Sequence, residues 1–561
     1  VSTHEAAPSA ASLTARVLRL LPNRQDWDDV RRHPRADLLA GVTVAVVALP
    51  LALAFGAASG LGARAGLITA IVAGALAAIF GGSNLQVSGP TGAMTVVLIP
   101  VVHRYGANGV LMTGLLAGAI LVAAAFLRLG RAARYLPAPV IEGFTAGIAI
   151  VIVLQQVPAM LGTPGTGDKA WQSAADSVRH FAVHPQAGPI SVTLIVAALI
   201  LAGSRWRPAV PVSLAVVALA SVAVASLHLH IAKLGALPSG LPAPSTAFFD
   251  AHLLATLAPS ALAVAALGAL ESLLSATVAD GMTVGQQHDA DRELFGQGIA
   301  NLVVPLFGGV PATGAIARTA VNARVGARSR LAALIHACRL GAIVFVGAPL
   351  VGHIPLAALA GVLLATCIRM VEVGSLLAMA RATRGDALIL AMTLIVTVAF
   401  NLVTAVAVGI AVAVVLALRT VTRSARLEEV PLDNSDHDDA ERTLLAEHIV
   451  AYRIDGPLFF AGAHRFLLEL SEVAYIQVVT LRLSRITALD ATGAKVLGDA
   501  ITRLERRGII VLLSGIKPAH DHVLSALGIA EHLRDGQLIF TDTPSAIQYA
   551  RSLIHAQPDA A

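Results

Sequence analysis

The chain is 561 residues long, 56% hydrophobic and only 13% charged, with a formal net charge of +5. Soluble domains carry about 25% charged residues, and here the apolar excess lies in blocks, so the composition excludes an all-soluble protein and indicates a membrane protein. Arginines grouped in short loops between those blocks set topology rather than bind nucleic acid, and the two cysteines, Cys338 and Cys367, sit in apolar runs and imply no disulfide framework.

In chain order, residues 1–37 form a polar, Arg-bearing arm without a cleavable apolar core, with a short amphipathic helix near 13–21. A spanning helix needs about 20 apolar residues, or fewer where two half-helices meet at mid-membrane. The predicted spans are 38–54, 67–80, 90–102, 110–126, 140–157, 190–202 and 210–225. After a connecting loop (226–256) come 257–278, 294–306, 313–323, 331–350, 355–373, 387–400 and 402–418. These divide the membrane part into two sets of seven, 38–225 and 257–420. Arginine groups at 128–134, 205–207, 324–330 and 369–384 all fall on one side of that arrangement, which places both chain ends in the cytoplasm. Residues 421–443 read as a charged linker without an apolar period. In 444–555, strand-like runs at 448–454, 478–483, 509–514 and 538–541 alternate with helix-like segments at 464–472, 492–507 and 518–527, the pattern of a small cytoplasmic α/β domain.

The two halves share a repeat. Phe80-Gly81-Gly82 precedes Thr91-Gly92-Ala93-Met94, and Phe307-Gly308-Gly309 precedes Thr313-Gly314-Ala315-Ile316, roughly 220 residues on and at the third span of each half. With seven spans per half, the second copy enters the membrane in the opposite sense. Short Gly/Pro-interrupted spans at matching positions point to a mid-membrane binding site. Ser88-Gly89-Pro90-Thr91-Gly92 reads as extended chain leading into a helix, and Pro311-Ala312-Thr313-Gly314 repeats it. Helix starts carry free N–H groups and the positive end of the dipole, so two converging starts form a pocket for a small anion.

Arg318 lies near the start of the second half-helix. A central intramembrane Arg costs about 2.5–3.5 kcal/mol on insertion scales, so it is expected to face that pocket or a carboxylate. Glu271 lies in an apolar run with Ser275 one turn on; it is a candidate to carry a coupling proton or Na⁺, or a structural partner for Arg318. Asp280, Asp289 and Asp291 read as loop charges, and Glu142 as a helix-start carboxylate. No nucleophile–base set or metal-ligand spacing occurs, so neither an enzyme nor a cofactor is expected.

At these residues the sequence resembles the SulP anion permeases, relatives of the animal solute-carrier sulfate and chloride/bicarbonate exchangers. The matches are GVTVAVVALPLALAFGAASG (41–60), FGGSNLQVSGPTGAM (80–94), ESLLSATVADGM (271–282), RELFGQGIANL (292–302) and FGGVPATGAIARTAVNARVGARS (307–329). The tail looks like the STAS domain of these permeases. The resemblance implies an α-helical membrane protein with about fourteen transmembrane segments in a 7+7 inverted repeat. It implies core and gate subdomains, elevator-type movement and a homodimer in a bacterial inner membrane. The anion would lie between Thr91–Ala93 (Thr91, Gly92, Ala93) and Gly314–Ile316 (Gly314, Ala315, Ile316). Sodium-coupled bicarbonate relatives carry Asp and Thr at positions 271 and 275 and no Arg at 318. Glu271, Ser275 and Arg318 therefore favour proton-coupled uptake of sulfate, bicarbonate or a C4-dicarboxylate over sodium symport or exchange. A nucleobase permease of the same architecture would explain neither the tail nor Arg318. The STAS phosphoacceptor serine is replaced, as the loop reads Asp490-Ala491-Thr492-Gly493.

Overall fold

The computed structural model describes residues 18–555 except 28, 29, 31, 132–136, 164, 166–168, 207–211, 236–239, 284–286, 401, 425, 431–447 and 459–475. Most of the expected amphipathic helix at 13–21 and the whole expected helix at 464–472 lie outside these residues. The chain forms two compact units, Val1–Ile410 and Ala411–Ala561.

The first unit is helical. Its first half contains α1 (Pro34–Ala58), α2 (Ala63–Phe80), the two-residue strand β1 (Ser88–Gly89), α3 (Gly92–Phe126), α4 (Ala138–Leu161), α5 (Ala170–Val183), α6 (Ala187–Trp206) and α7 (Val212–Ser226). The second half contains α8 (Leu254–Met282), α9 (Ala290–Val303), β2 (Thr313–Gly314), α10 (Ile316–Val325), α11 (Leu331–Val351), α12 (Leu356–Met370), α13 (Val373–Ala382) and α14 (Arg384–Ala399), and α15 (Leu402–Ser424) begins in this unit and ends in the second. Seven of the described helices are long and apolar enough to cross a membrane. The continuous α3 is broken at Gly106, whose φ of 65° lies in the left-handed region that glycine enters without penalty. It therefore supplies two spans, where the sequence had placed a gap between 102 and 110. α10, at ten residues, is a half-helix.

Packing sorts the helices into two groups. α1, α2 and α3 pack with α8, α9, α10 and α11, whereas α4 and α6 pack with α12 and α14. Each group thus combines corresponding spans of the two halves, giving the core and gate of the inverted-repeat fold. β1 and β2 pair antiparallel across the halves, Ser88 opposite Gly314 and Gly89 opposite Thr313. An antiparallel pairing of equivalent segments is what two repeats entering from opposite sides require.

Several local expectations change. α5, a 14-residue helix with a polar face, was not anticipated, because Trp-Gln-Ser-Ala-Ala-Asp carries too many polar side chains to read as a span. Asp291 is not a loop charge: it lies in α9, is 5% exposed and pairs with Arg131. Asp289 caps that helix through the N–H groups of Asp291 and Arg292, and Asp280, inside α8, meets His288. Glu142 accepts a hydrogen bond from the Ser375 hydroxyl. Arg330, expected in a cytoplasmic loop, is 1% exposed and donates to Asn84 and to the carbonyls of Ala78 and Ile79, the C-terminal carbonyls of α2. A cation there complements the negative end of the helix dipole.

The second unit carries a sheet in the order β3 (Arg426–Val430), β4 (Ile449–Leu458), β5 (Val478–Arg482), β7 (Ile510–Ser514), β8 (Ile539–Phe540), with β6 (Ile486–Leu489) beside β4. β3 is antiparallel to β4 and the other pairings are parallel. The helices are α16 (Ala491–Arg506), α17 (Pro518–Ala526), α18 (Ile529–Asp535) and α19 (Thr543–His555). α16 buries Leu497, Ile501 and Leu504 against Val479, Leu481, Val511 and Leu513. Asp490 caps it through the Gly493 N–H at 2.7 Å, and Ala491 and Thr492 are exposed. β3 falls in the segment read as linker.

Candidate anion site

The two half-helix starts converge beside the β1–β2 pair. Thr91, the residue before α3, is extended (φ −126°, ψ 161°) and makes no side-chain cap to that helix. Its hydroxyl donates instead to Glu271 Oε2 at 2.7 Å. Ala315, the residue before α10, has no side chain able to cap. The first N–H groups of a helix lack intrahelical acceptors, so both starts present backbone donors. Not all survive: the Gly314 N–H is spent on Ser272 Oγ (2.9 Å) and that of Ala315 on the Val87 carbonyl (2.9 Å). In the second repeat the unspent donors therefore begin at Ile316, the last residue of the expected triplet. Ile316 is also 37% exposed, whereas Thr91, Ala93 and Ala315 are nearly buried. Gly92 is closely overlain by Ile152 and Phe55, which wall the first start.

Arg318 is 1% exposed. Its Nη2 donates to the Pro90 carbonyl at 2.6 Å, so the guanidinium of the second repeat holds the backbone just before the first repeat's helix. Among the described residues Nη1 has no hydrogen-bond partner, and it lies against Gly89, where a Cβ would come to 2.5 Å of it. Among the described residues Glu271 forms no ion pair with Arg318, and its carboxylate is hydrogen-bonded to Thr91. Ser275, expected to share a site with Glu271, is fully buried; its hydroxyl donates to Thr319 Oγ1 at 2.9 Å, and Thr319 Oγ1 also accepts from the Val87 N–H. Ser275 thus anchors α10 to α8.

A second set of polar residues, not singled out from the sequence, braces the crossing. Glu293, Gln297 and Asn301 recur every four residues on α9, hence on one face. Glu293 accepts from the N–H groups of Gly82 (2.9 Å) and Ser83 (3.1 Å) and from the amides of Gln86 (2.8 Å) and Gln297 (2.9 Å). Gln297 also donates to Ser88 Oγ at 2.6 Å. The Asn301 amide donates to the Ala312 carbonyl and accepts from the Ala312 N–H, both at 2.8 Å, as a paired strand would. Ser272 meets Thr313 at 2.9 Å. The four-residue polar spacing in RELFGQGIAN is the signal that would have found this ladder. Among the described residues no cluster of His, Cys, Asp and Glu has the makings of a metal site.

Comparison with known proteins agrees with this architecture. The sulfate permease family matches residues 35–393 and the STAS domain matches 443–546. YvdB of Bacillus subtilis is 35% identical over 513 residues, 88% of this chain and 93% of its own. The bicarbonate transporter BicA of Synechocystis is 32% identical over 515 residues, 86% of this chain and 88% of its own. Among solved structures, the transmembrane domain of a cyanobacterial bicarbonate transporter BicA aligns with a TM-score of 0.62 at 34% identity, covering 67% of this chain and 98% of that one. Murine Slc26a9, an anion transporter in the inward-facing state, aligns with a TM-score of 0.83 at 18% identity over 98% and 96% of the two chains, a likeness of fold. The chain belongs to the sulfate permease family, and is a multi-pass membrane transporter, not an enzyme, that carries a STAS domain.

Proposed function

We propose that this protein carries a small oxyanion of the sulfate, bicarbonate or C4-dicarboxylate class across the bacterial inner membrane by proton-coupled symport. The observation that carries the reading is the meeting of two uncapped half-helix starts with a buried guanidinium and a carboxylate. Unspent N–H groups at Gly92, Ala93 and Ile316 and the positive ends of two helix dipoles attract an anion, with Arg318 behind them as fixed charge. Thr91, Gly314 and Ala315 shape the pocket, the last two with their N–H groups already committed.

In this reading Glu271 takes up the coupling proton. Its carboxylate is bonded to the residue that starts the first half-helix, so loss of its charge and arrival of an anion at that helix favour each other. Na⁺ in place of H⁺, or anion exchange, is the second reading; against Na⁺ stands Ser275 being bonded to Thr319 and not to Glu271. The core group would move against the gate group in elevator fashion within a homodimer, both chain ends cytoplasmic. The domain scheme that goes with this is an arm (1–37), two repeats (38–225 and 257–420) around a loop (226–256), a linker (421–443) and the STAS domain (444–555).

The test is uptake into proteoliposomes. Wild-type protein accumulates sulfate or bicarbonate when the inside is made alkaline, without Na⁺. Glu271→Gln should retain exchange of the anion at equilibrium but lose accumulation driven by the gradient. Undiminished gradient-driven uptake by that variant would overturn the assignment.

A further inference from the structure

His336 lies on α11, fully buried, and neither ring nitrogen has a hydrogen-bond partner among the described residues. An imidazole carries at least one N–H donor, and in its neutral form also one acceptor, so a dry apolar setting leaves both unmet. Its neighbours on the same helix face locate it. Ala333 packs with Val44, Ala78 and Val87. Ala337 approaches Gly74, which in turn lies against the Ser88 carbonyl. His336 therefore faces the 87–89 stretch that carries β1. Arg318 Nη1 borders the same stretch at Gly89 and is also without a hydrogen-bond partner among the described residues.

Two orphaned polar groups beside one piece of backbone call for a shared partner, because buried polar groups are otherwise satisfied almost without exception. We infer that His336 is a positioning residue for Arg318: a buried water accepts from Arg318 Nη1 and donates to the unprotonated imidazole nitrogen. Pro90 fixes one arm of the guanidinium and the His336-bound water fixes the other. The fork is then held in one orientation behind the anion instead of rotating about its stem. No charge is added by this arrangement, since a neutral imidazole is the form that accepts from the water.

The inference rests on Arg318 being part of the anion site, and the experiment separates the two. Full-length variants His336→Leu and His336→Gln are compared with wild type, using sulfate and bicarbonate as probes in proteoliposomes. His336→Leu should raise the half-saturating concentration about tenfold, the worth of one hydrogen bond to a charged group, with maximal rate little changed. His336→Gln, which keeps a donor and an acceptor, should stay within about twofold of wild type. Should His336→Leu not reach the membrane, His336→Met takes its place. The pair is also read without any anion, as a double-mutant cycle in melting temperature with Arg318→Gln. His336→Leu should lower the melting temperature in the wild-type background and not in the Arg318→Gln background. Additive effects, a raised melting temperature for His336→Leu, or an unchanged half-saturation would overturn the inference. Arg318→Gln with unaltered anion affinity would instead overturn the site on which it rests.

Discussion

Glu293→Gln isolates the brace beneath the anion site, because it changes one carboxylate oxygen to an amide nitrogen at constant shape. The carboxylate accepts four hydrogen bonds, two backbone N–H groups on Oε2 and two side-chain amides on Oε1, all between 2.8 and 3.1 Å. A glutamine leaves one oxygen, so at least two of the four donors meet an N–H group. The surviving bonds also lose their charge assistance. A hydrogen bond to a charged group contributes about 1.5–3 kcal/mol and a neutral one about 0.5–1.5. Partial re-pairing of the flexible Gln86 and Gln297 amides offsets some of the difference, and the expected cost is about 3–5 kcal/mol. The assay is thermal unfolding of the detergent-solubilised protein, followed by near-ultraviolet absorbance or a thiol-reactive dye on Cys367. A fall of several degrees is expected, with limited proteolysis opening the chain near residues 81–90. A melting curve superimposable on wild type would refute the claim that α9 holds the crossing in place.

Two further outcomes follow from the same geometry. Asp26 lies outside the membrane spans and takes both guanidinium nitrogens of Arg292, at 2.7 and 2.6 Å, with Arg330 close by. Burial raises its carboxyl, but Arg292, the Asn23 N–H and Arg330 outweigh that and hold it below the usual aspartate range. A depressed value stabilises the fold above the unfolded value of about 3.9, and the contribution is lost as pH falls through the folded value. Asp26→Asn should therefore cost about 2–3 kcal/mol near neutrality, with melting curves of variant and wild type converging in acid; a gap independent of pH would contradict the assignment. In the second unit, Asp490→Ala removes the α16 cap and should speed hydrogen exchange in that helix's first turn about fivefold, the equivalent of roughly 1 kcal/mol. Equal protection in the two proteins would show the cap to be idle.

The frame of the site was legible because it is written in local sequence. Phe-Gly-Gly before Thr-Gly-Ala twice over marks the two half-helix starts, and the break at Gly106 falls in the gap between the predicted third and fourth spans. The donors that stay free were not legible, since they depend on acceptors far along the chain: Val87 takes the Ala315 N–H, and Ser272 takes that of Gly314. The partner of Glu271 was hidden for the same reason, Thr91 lying 180 positions away. Arg330 read as a topology charge because hydropathy cannot tell a solvated loop cation from one buried on helix carbonyls. β3 was taken for linker because Arg-Leu-Glu-Glu-Val has the charge that edge strands use to discourage further pairing.

The β1–β2 pair has a mechanical consequence. Strands bonded across the halves cannot part at membrane depth without stranding N–H and C=O groups where no water replaces their partners. The two helix starts consequently behave as one welded cassette of fixed spacing. Ala315 and Val87, Arg318 and Pro90, are further rivets in that weld. A substitution in either repeat is then felt by both, and under the proposed function an anion held there would leave only when the surroundings of the cassette change, since its own two jaws do not open.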